Sequence, residues 1–427
     1  LSVHLPLKGV RVLDLSRVLA GPMCAQALGD FGADVIKIEH PKRGDDTRDW
    51  GVKIGKTETA YYASANRNKR SVTVDLQTPE GQQIVRELAK QSDVVLQNFK
   101  FGGVDKMGLG FADLQALQPE LIYCSISGYN RSGPEAARPG YDIVVQGEAG
   151  LMALNGEVSQ PPLKFGVAAV DMFTGMYATQ AILAALFERE QARQAAKKMA
   201  EVKAGETKAG EASQEPPAFK GRHIEMALFD TGLLMTTYVG LEALLHQQEP
   251  LRYGNEHPTI VPYGVFQAAD GPMVIAVGNN SQFERFCREV IERPDLADNP
   301  ELKTNLSRLQ VRDTLVPELL KEIKARPRSL MLARMKAAQI PCGEVLGVLE
   351  ALQSERAQQG GLVTEQAHPF ASGGKTHVMA PPYRIDGERL PIRYAPPMLG
   401  EHTEAVLAEL LALPADELAR LKGLGVI

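Results

Sequence analysis

Short apolar runs alternate with helical periodicity through the first part of the chain. Arg11-Val-Leu-Asp-Leu15 reads as extended, Pro22 to Phe31 as helical, and Asp34-Val-Ile-Lys-Ile-Glu39 as extended again, which makes a βαβ unit of about 30 residues. Ser71 to Leu76, Asp93 to Phe99 and Leu121 to Ser127 are further runs of this kind. Between the first two, Thr78-Pro79-Glu80 opens a helix, with Thr suited to the cap and Pro to the first turn. Runs that are apolar at successive positions suit parallel strands buried on both faces. The predicted fold class is therefore α/β, with an open, doubly wound, Rossmann-like parallel sheet. Such sheets bind ligands at the carboxyl ends of their strands, where Arg17, His40, Asn98 and Gly128 fall.

Leu163 to Ala178 places one carboxylate, Asp171, between two strongly apolar segments. Val167 to Val170 reads as the end of a buried extended segment and Met172 to Glu188 as a nearly all-apolar helix, so Asp171 stands where a helix begins. It is either a cap that accepts orphan backbone N–H groups or a catalytic carboxylate that those groups and the helix end keep ionised. The segment 190–217, rich in Ala, Glu, Lys and Gly, reads as an exposed continuation of the helix followed by a flexible surface loop. The expected domains are a large one over 1–225, a linker helix over 226–252, a smaller α+β domain over 253–342, and a return segment over 343–427 that packs on the first.

Composition narrows the function. A chain of 427 residues with net charge −5 and intermixed acids and bases does not look built for nucleic acid. The four cysteines (Cys24, Cys124, Cys287, Cys342) are far apart and the eight histidines scattered, so no metal site is expected. No uninterrupted apolar run of membrane length and no signal segment is read, and the expected address is cytoplasmic, with no membrane partner. Neither GxGxxG nor a Walker loop follows the first strand, so a dinucleotide cofactor is not indicated. Asn66-Arg-Asn-Lys-Arg70 is either a ligand site for phosphate or a solvated basic turn.

Taken together, these motifs resemble the class III CoA-transferase family, which includes formyl-CoA:oxalate and carnitine CoA-transferases and has the α-methylacyl-CoA racemases as relatives. The resemblance rests on Val12-Leu-Asp-Leu15 with Ala20-Gly-Pro22, Gly32 to Glu39, Asn68-Lys-Arg-Ser71 with Thr78-Pro-Glu-Gly81, and Asn98-Phe99. It continues through Gly140-Tyr-Asp142, Asp171 with Thr174-Gly175, Ile340-Pro-Cys-Gly343 and Leu399-Gly-Glu-His-Thr403, nearly end to end. It implies that Asp171 is the aspartate that becomes acylated. It also implies that His40, Asn68, Lys69, Arg70, Asn98 and Lys106 line a CoA site, and that Tyr141 and Asp142 flank the acyl group. His40 and Lys106 stand where the family commonly has arginine, and Asp142 where the formyl-CoA transferases have Glu. An interlocked homodimer is implied as well.

The implied reaction moves CoA between carboxylic acids through aspartyl anhydride and aspartyl-CoA thioester intermediates, with the CoA thioester as substrate and no permanently bound cofactor. Gly254 to Tyr263 lacks the glycine run of the formyl-CoA transferases, which points toward larger acids and a dicarboxylic donor such as succinyl-CoA. A racemase would use the same aspartate at an α-carbon, but Tyr141 stands where its second base, a histidine, is expected. A CoA-binding protein without turnover, with Asp171 only a cap, is the reading from another class.

Overall fold

Val12 and Leu13 point to opposite faces of a strand that has no exposed side, and this pairing recurs along the sheet of the computed structural model, which describes residues 4–205 and 218–427. The first elements are β1 (Arg11–Asp14), α1 (Ala20–Asp30), β2 (Asp34–Glu39), α2 (Ala60–Ser64), β3 (Lys69–Thr73), α3 (Pro79–Lys90), β4 (Val94–Gln97), α4 (Phe111–Leu117) and β5 (Ile122–Ser127). α5 (Asp142–Glu148), α6 (Leu151–Leu154), α7 (Ala169–Gly205), β6 (Arg222–Ala227) and α8 (Leu228–Leu234) follow. β1 to β6 form one parallel sheet in the order β3-β2-β1-β4-β5-β6, with Leu13 level with Ile36 on one side and Val95 on the other. The expected doubly wound sheet is present, and its strand order reverses between β1 and β4.

Each face has its own core. Val12, Val35, Val94 and Ile122 pack with Cys24 and Leu28 of α1 and with Ala178 and Ile182 of α7. Leu13, Ile36, Val72 and Val95 pack with Val85 and Leu88 of α3 and with Val406 and Leu407 of the helix Thr403–Leu411. Thr78 caps α3 by accepting the Gly81 N–H at 3.0 Å, with Pro79 at the first position, as the sequence signals. α7 is apolar and long enough to cross a membrane, yet Val170, Thr174, Ala178 and Ile182 recur at four-residue spacing and are all buried in this domain.

The chain divides into two compact units, 1–151 with 165–240 and 356–427, and 152–164 with 241–355. The residues 152–164, expected within the large domain, belong to the second unit, and the division falls inside the helix Thr237–His246. The second unit contains β7 (Tyr263–Ala268), β8 (Gly271–Ala276) and β9 (Cys342–Glu344) in one antiparallel sheet, with Phe266, Met273 and Ile275 buried against helices that include Arg312–Lys324 and Arg328–Ala337. β6 begins after Gly221, in a stretch the hydrophobic pattern leaves unassigned because His223 and Glu225 interrupt it. Residues 163–168 are irregular and Val167 is exposed, so the extended segment expected before Asp171 is a surface strap. The part of the 190–217 stretch up to Gly205 continues α7; 206–217 lies outside the described residues.

Candidate active site

Two adjoining cavities open at the carboxyl ends of the strands, where the strand order reverses. One, of about 180 Å³, is lined by Arg17, Asn98, Lys100, Arg138, Tyr141 and Asp171 among others. The other, of about 330 Å³, is lined by His40, Arg43, Asp45 and Gln77, and shares Arg17, Asp46 and Phe99 with the first.

The loop from Ser16 to Leu19 forms the common wall. Val18 adopts φ 72°, costly for a β-branched residue. The cost is held in place from both sides. Asn98 accepts the Arg17 N–H at 2.9 Å and donates to the Arg17 carbonyl at 2.7 Å, and Asp45 accepts the Val18 N–H at 3.2 Å. Asp45 is anchored in turn by the buried Lys37 ammonium at 2.9 Å. Asn98 therefore lines the cavity and shapes it. On the far wall the backbone crosses itself at Gly128 and Gly140, where a Cβ on Gly128 would lie 2.5 Å from the Gly140 Cα. Only glycine lets β5 and the approach to Tyr141 come this close.

Asp171 is the third residue of α7 and not its cap. No described residue donates a hydrogen bond to its carboxylate. α7 can press against the start of α1 because residue 175 is glycine, its missing Cβ position being 2.5 Å from the Ala20 carbonyl oxygen. The Asp171 N–H donates to Asp142 Oδ2 at 3.1 Å. Burial, and then the Asp142 charge, push the Asp171 carboxyl up from 3.8 to about 7. The expectation that the helix end keeps it ionised is thus corrected in degree: burial and the Asp142 charge leave it only about half ionised near pH 7. Tyr61 of α2 feels the same charges, since after burial Asp171 and then Asp142 and Asp45 raise its phenol.

The structure brings Asn98, Tyr141, Asp142 and Asp171 together and puts His40 in the adjoining cavity. The His40 Nδ1 accepts the Lys42 N–H at 3.1 Å, which leaves Nε2 to act as donor. Three other expected site residues are engaged away from both cavities. Asn68, at φ 61°, donates to Asp30 at 2.8 Å and accepts the Arg393 and Tyr394 N–H groups, so it staples the returning chain to the end of α1. Lys69 is fully buried and bonded to Asp14 at 2.9 Å, the Pro22 carbonyl and Asn66; burial lowers its ammonium to about 8. Arg70 makes a bidentate pair with Asp34, at 2.9 and 2.6 Å, and a third bond to Glu409. Lys106 stands exposed on the turn Asp105–Met107, and neither cavity includes it.

Sequence reasoning passed over Gln146, Lys100 and Arg138. Gln146 follows Asp142 by four residues, a spacing that puts both on one helix face, and it donates to Asp142 Oδ1. Arg138 is held by Glu148 and by Glu135, the latter at 2.8 Å. Lys100 and Arg138 carry no signal in a one-residue pattern; only the fold brings them to Asp171.

The model for CoA-transferase family III matches residues 7–205 and 213–403. Succinyl-CoA:glutarate CoA-transferase of Homo sapiens is 36% identical over 99% of this chain and 90% of its own length. Succinate–glutarate CoA-transferase of Agrobacterium fabrum is 39% identical over 95% of this chain and 96% of its own. The crystal structure of a CAIB/BAIF family protein from Brucella suis superimposes with a TM-score of 0.78 at 37% identity, covering 95% of this chain and 99% of that one. With a cavity at the switch point of a doubly wound sheet and these matches along nearly its whole length, the chain belongs to CoA-transferase family III and is a CoA-transferase.

Proposed function

We propose that the protein moves CoA from a dicarboxylic acyl-CoA, such as succinyl-CoA, to a second carboxylic acid, with Asp171 as the nucleophile. The observation that carries this is the Asp171 carboxylate itself: half-buried at the head of α7, open to a cavity, and used for no cap or ion pair. An Asp171 oxygen attacks the thioester carbonyl, the C–S bond breaks, and CoA leaves as thiolate, giving a mixed anhydride. The thiolate then attacks the aspartyl carbonyl, releasing the first acid and leaving an aspartyl-CoA thioester. The acceptor carboxylate attacks that thioester to form a second anhydride. The thiolate finally takes the new acyl group and frees Asp171.

Apolar walls from Leu19, Ile126 and Leu228 keep water from these intermediates. Lys100 brings a cation to the cavity for a carboxylate, beside Arg17 and Arg138, which are paired with Asp46 and with Glu135 and Glu148. The relatives whose names specify succinyl-CoA and glutarate support the dicarboxylic reading. In the same proposal Tyr141 and Asp142 flank the acyl group, while His40 and Arg43 in the adjoining cavity bind the CoA moiety.

A homodimer is part of the proposal. Phe173, Met176 and Phe187 of α7 are 42%, 52% and 65% exposed, an apolar face that a second chain would cover. A cytoplasmic setting is proposed as well, supported by four free thiols, three of them buried.

The test is a panel of carboxylic acids assayed as acceptors from succinyl-CoA, with Asp171→Ala alongside. Exchange that prefers dicarboxylates and disappears in Asp171→Ala supports the proposal. Exchange retained by Asp171→Ala refutes the mechanism. Solvent deuterium entering the α-carbon of a 2-methylacyl-CoA would put a racemase in its place.

A further inference from the structure

Gln146 is buried one turn after Asp142 on α5, and its side chain bonds outward from the helix as well as along it. Its carbonyl oxygen accepts the Phe165 N–H at 2.9 Å. Its amide nitrogen donates to Asp142 Oδ1 and faces the Val167 carbonyl at 3.5 Å. The other oxygen of Asp142 accepts the Asp171 N–H. One primary amide thus joins α5, the irregular strap ahead of α7, and, through Asp142, the backbone of the residue that carries the free carboxylate. α5 needs none of these bonds to remain helical, since its own backbone ladder serves that purpose. An apolar residue would fill the space but would leave the Phe165 N–H and one Asp142 oxygen without these partners.

We propose that Gln146 is a positioning residue of the transfer reaction: by locking Asp142 and the 165–167 strap into one hydrogen-bonded unit, it fixes where the Asp171 carboxylate meets the thioester carbonyl. The inference rests on the reading of Asp171 as nucleophile. It adds that the nucleophile is aimed by a residue that touches neither substrate nor the carboxylate. An amide fills these roles at every pH, because the site needs an acceptor for Phe165 and a donor for Asp142 from the same planar group, which a carboxyl offers only when protonated. The charged and titratable groups around Asp171 are Asp142 on α5, Tyr141 just before it, Tyr61 on α2, Asp46 on the short turn Asp46–Asp49, and Arg17, Lys100 and Arg138 from the loops. Of these, Asp142 alone is bonded to the backbone of Asp171, so a change at Gln146 reaches Asp171 through Asp142.

The experiment compares Gln146→Met and Gln146→Glu with the parent and with Asp171→Ala, all as the full chain, using succinyl-CoA and a dicarboxylic acceptor between about pH 6 and 8. Misaiming a nucleophile by about 1 Å costs on the order of 100-fold. Gln146→Met should therefore lose 10-fold to 100-fold in kcat, with KM for succinyl-CoA within about twofold of the parent. Gln146→Glu keeps the acceptor for Phe165 but donates to Asp142 only when protonated. Its kcat relative to the parent should therefore fall about tenfold or more as pH rises across that range. Urea unfolding accompanies each assay, and if Gln146→Met does not fold, the pH trend of Gln146→Glu decides. An inactive Asp171→Ala beside Gln146 variants that keep parental kcat overturns this inference alone. So does a Gln146→Glu loss that is independent of pH and matched by loss of stability, which is what a purely structural glutamine would give. Exchange retained by Asp171→Ala overturns the underlying mechanism, and the positioning role with it.

Discussion

Replacing Asp171 by Asn should stabilise the protein at alkaline pH while abolishing CoA exchange. In the folded chain the carboxyl rises from its ordinary 3.8 to about 7, because it is buried and faces Asp142. Below about pH 4 the side chain is neutral whether the chain is folded or not. Between about 4 and 7 the unfolded chain releases this proton and the folded chain keeps it, so stability falls as pH rises. Above about 7 the whole cost of a buried charge is present. The interval corresponds to about 4 kcal/mol. Water entering the open cavity reduces it, and a gain of about 2 kcal/mol for the Asn variant near pH 8.5 is the expected size. Near pH 5 only about a third of that difference should remain. Urea unfolding of parent and variant at both pH values measures it. A gain that is the same at both, or larger at pH 5, would refute the reasoning and mean that the carboxylate is not strained by its surroundings.

Lys69→Met should cost about 3–5 kcal/mol, because Asp14 is left charged and buried without its partner. At temperatures where the variant stays folded, its KM for the CoA thioester should match the parent; a large rise would show that Lys69 binds CoA after all. Gly128→Ala places a methyl 2.5 Å from the Gly140 Cα and should lower kcat/KM at least tenfold, on the order of 1.4 kcal/mol, by distorting the wall that carries Tyr141. His40→Ala should raise KM for the CoA thioester and leave KM for the acceptor acid unchanged, as steady-state kinetics with each substrate varied in turn will report.

The sheet was legible because parallel strands buried on both faces leave a plain mark: Asp34–Glu39 agrees to the residue, and Thr78-Pro79 marks the start of α3. β6 escaped because it lies at the sheet edge, where His223 and Glu225 on its exposed side break the apolar run. At the site, Asp171, Tyr141, Asp142 and Asn98 were identifiable as candidates, but the work each side chain does was not. Asn68, Lys69 and Arg70 look like an anion site in one dimension, yet each is neutralised or bonded by a residue distant in sequence: Asp30, Asp14 and Asp34. The raised proton affinity of Asp171 escaped for a related reason. A helix terminus can be read locally, whereas burial and the proximity of Asp142, 29 residues away, exist only in the fold.

The account depends most on a covalent bond to Asp171. Incubating the protein with succinyl-CoA and no acceptor, then digesting it for mass spectrometry, should give an acyl or CoA adduct on the peptide that contains Asp171. Hydroxylamine should convert that residue to a hydroxamate, and Asp171→Asn should give no adduct. CoA exchange proceeding at full rate with no hydroxylamine-sensitive adduct at Asp171, or with the adduct on another carboxylate, would contradict the account.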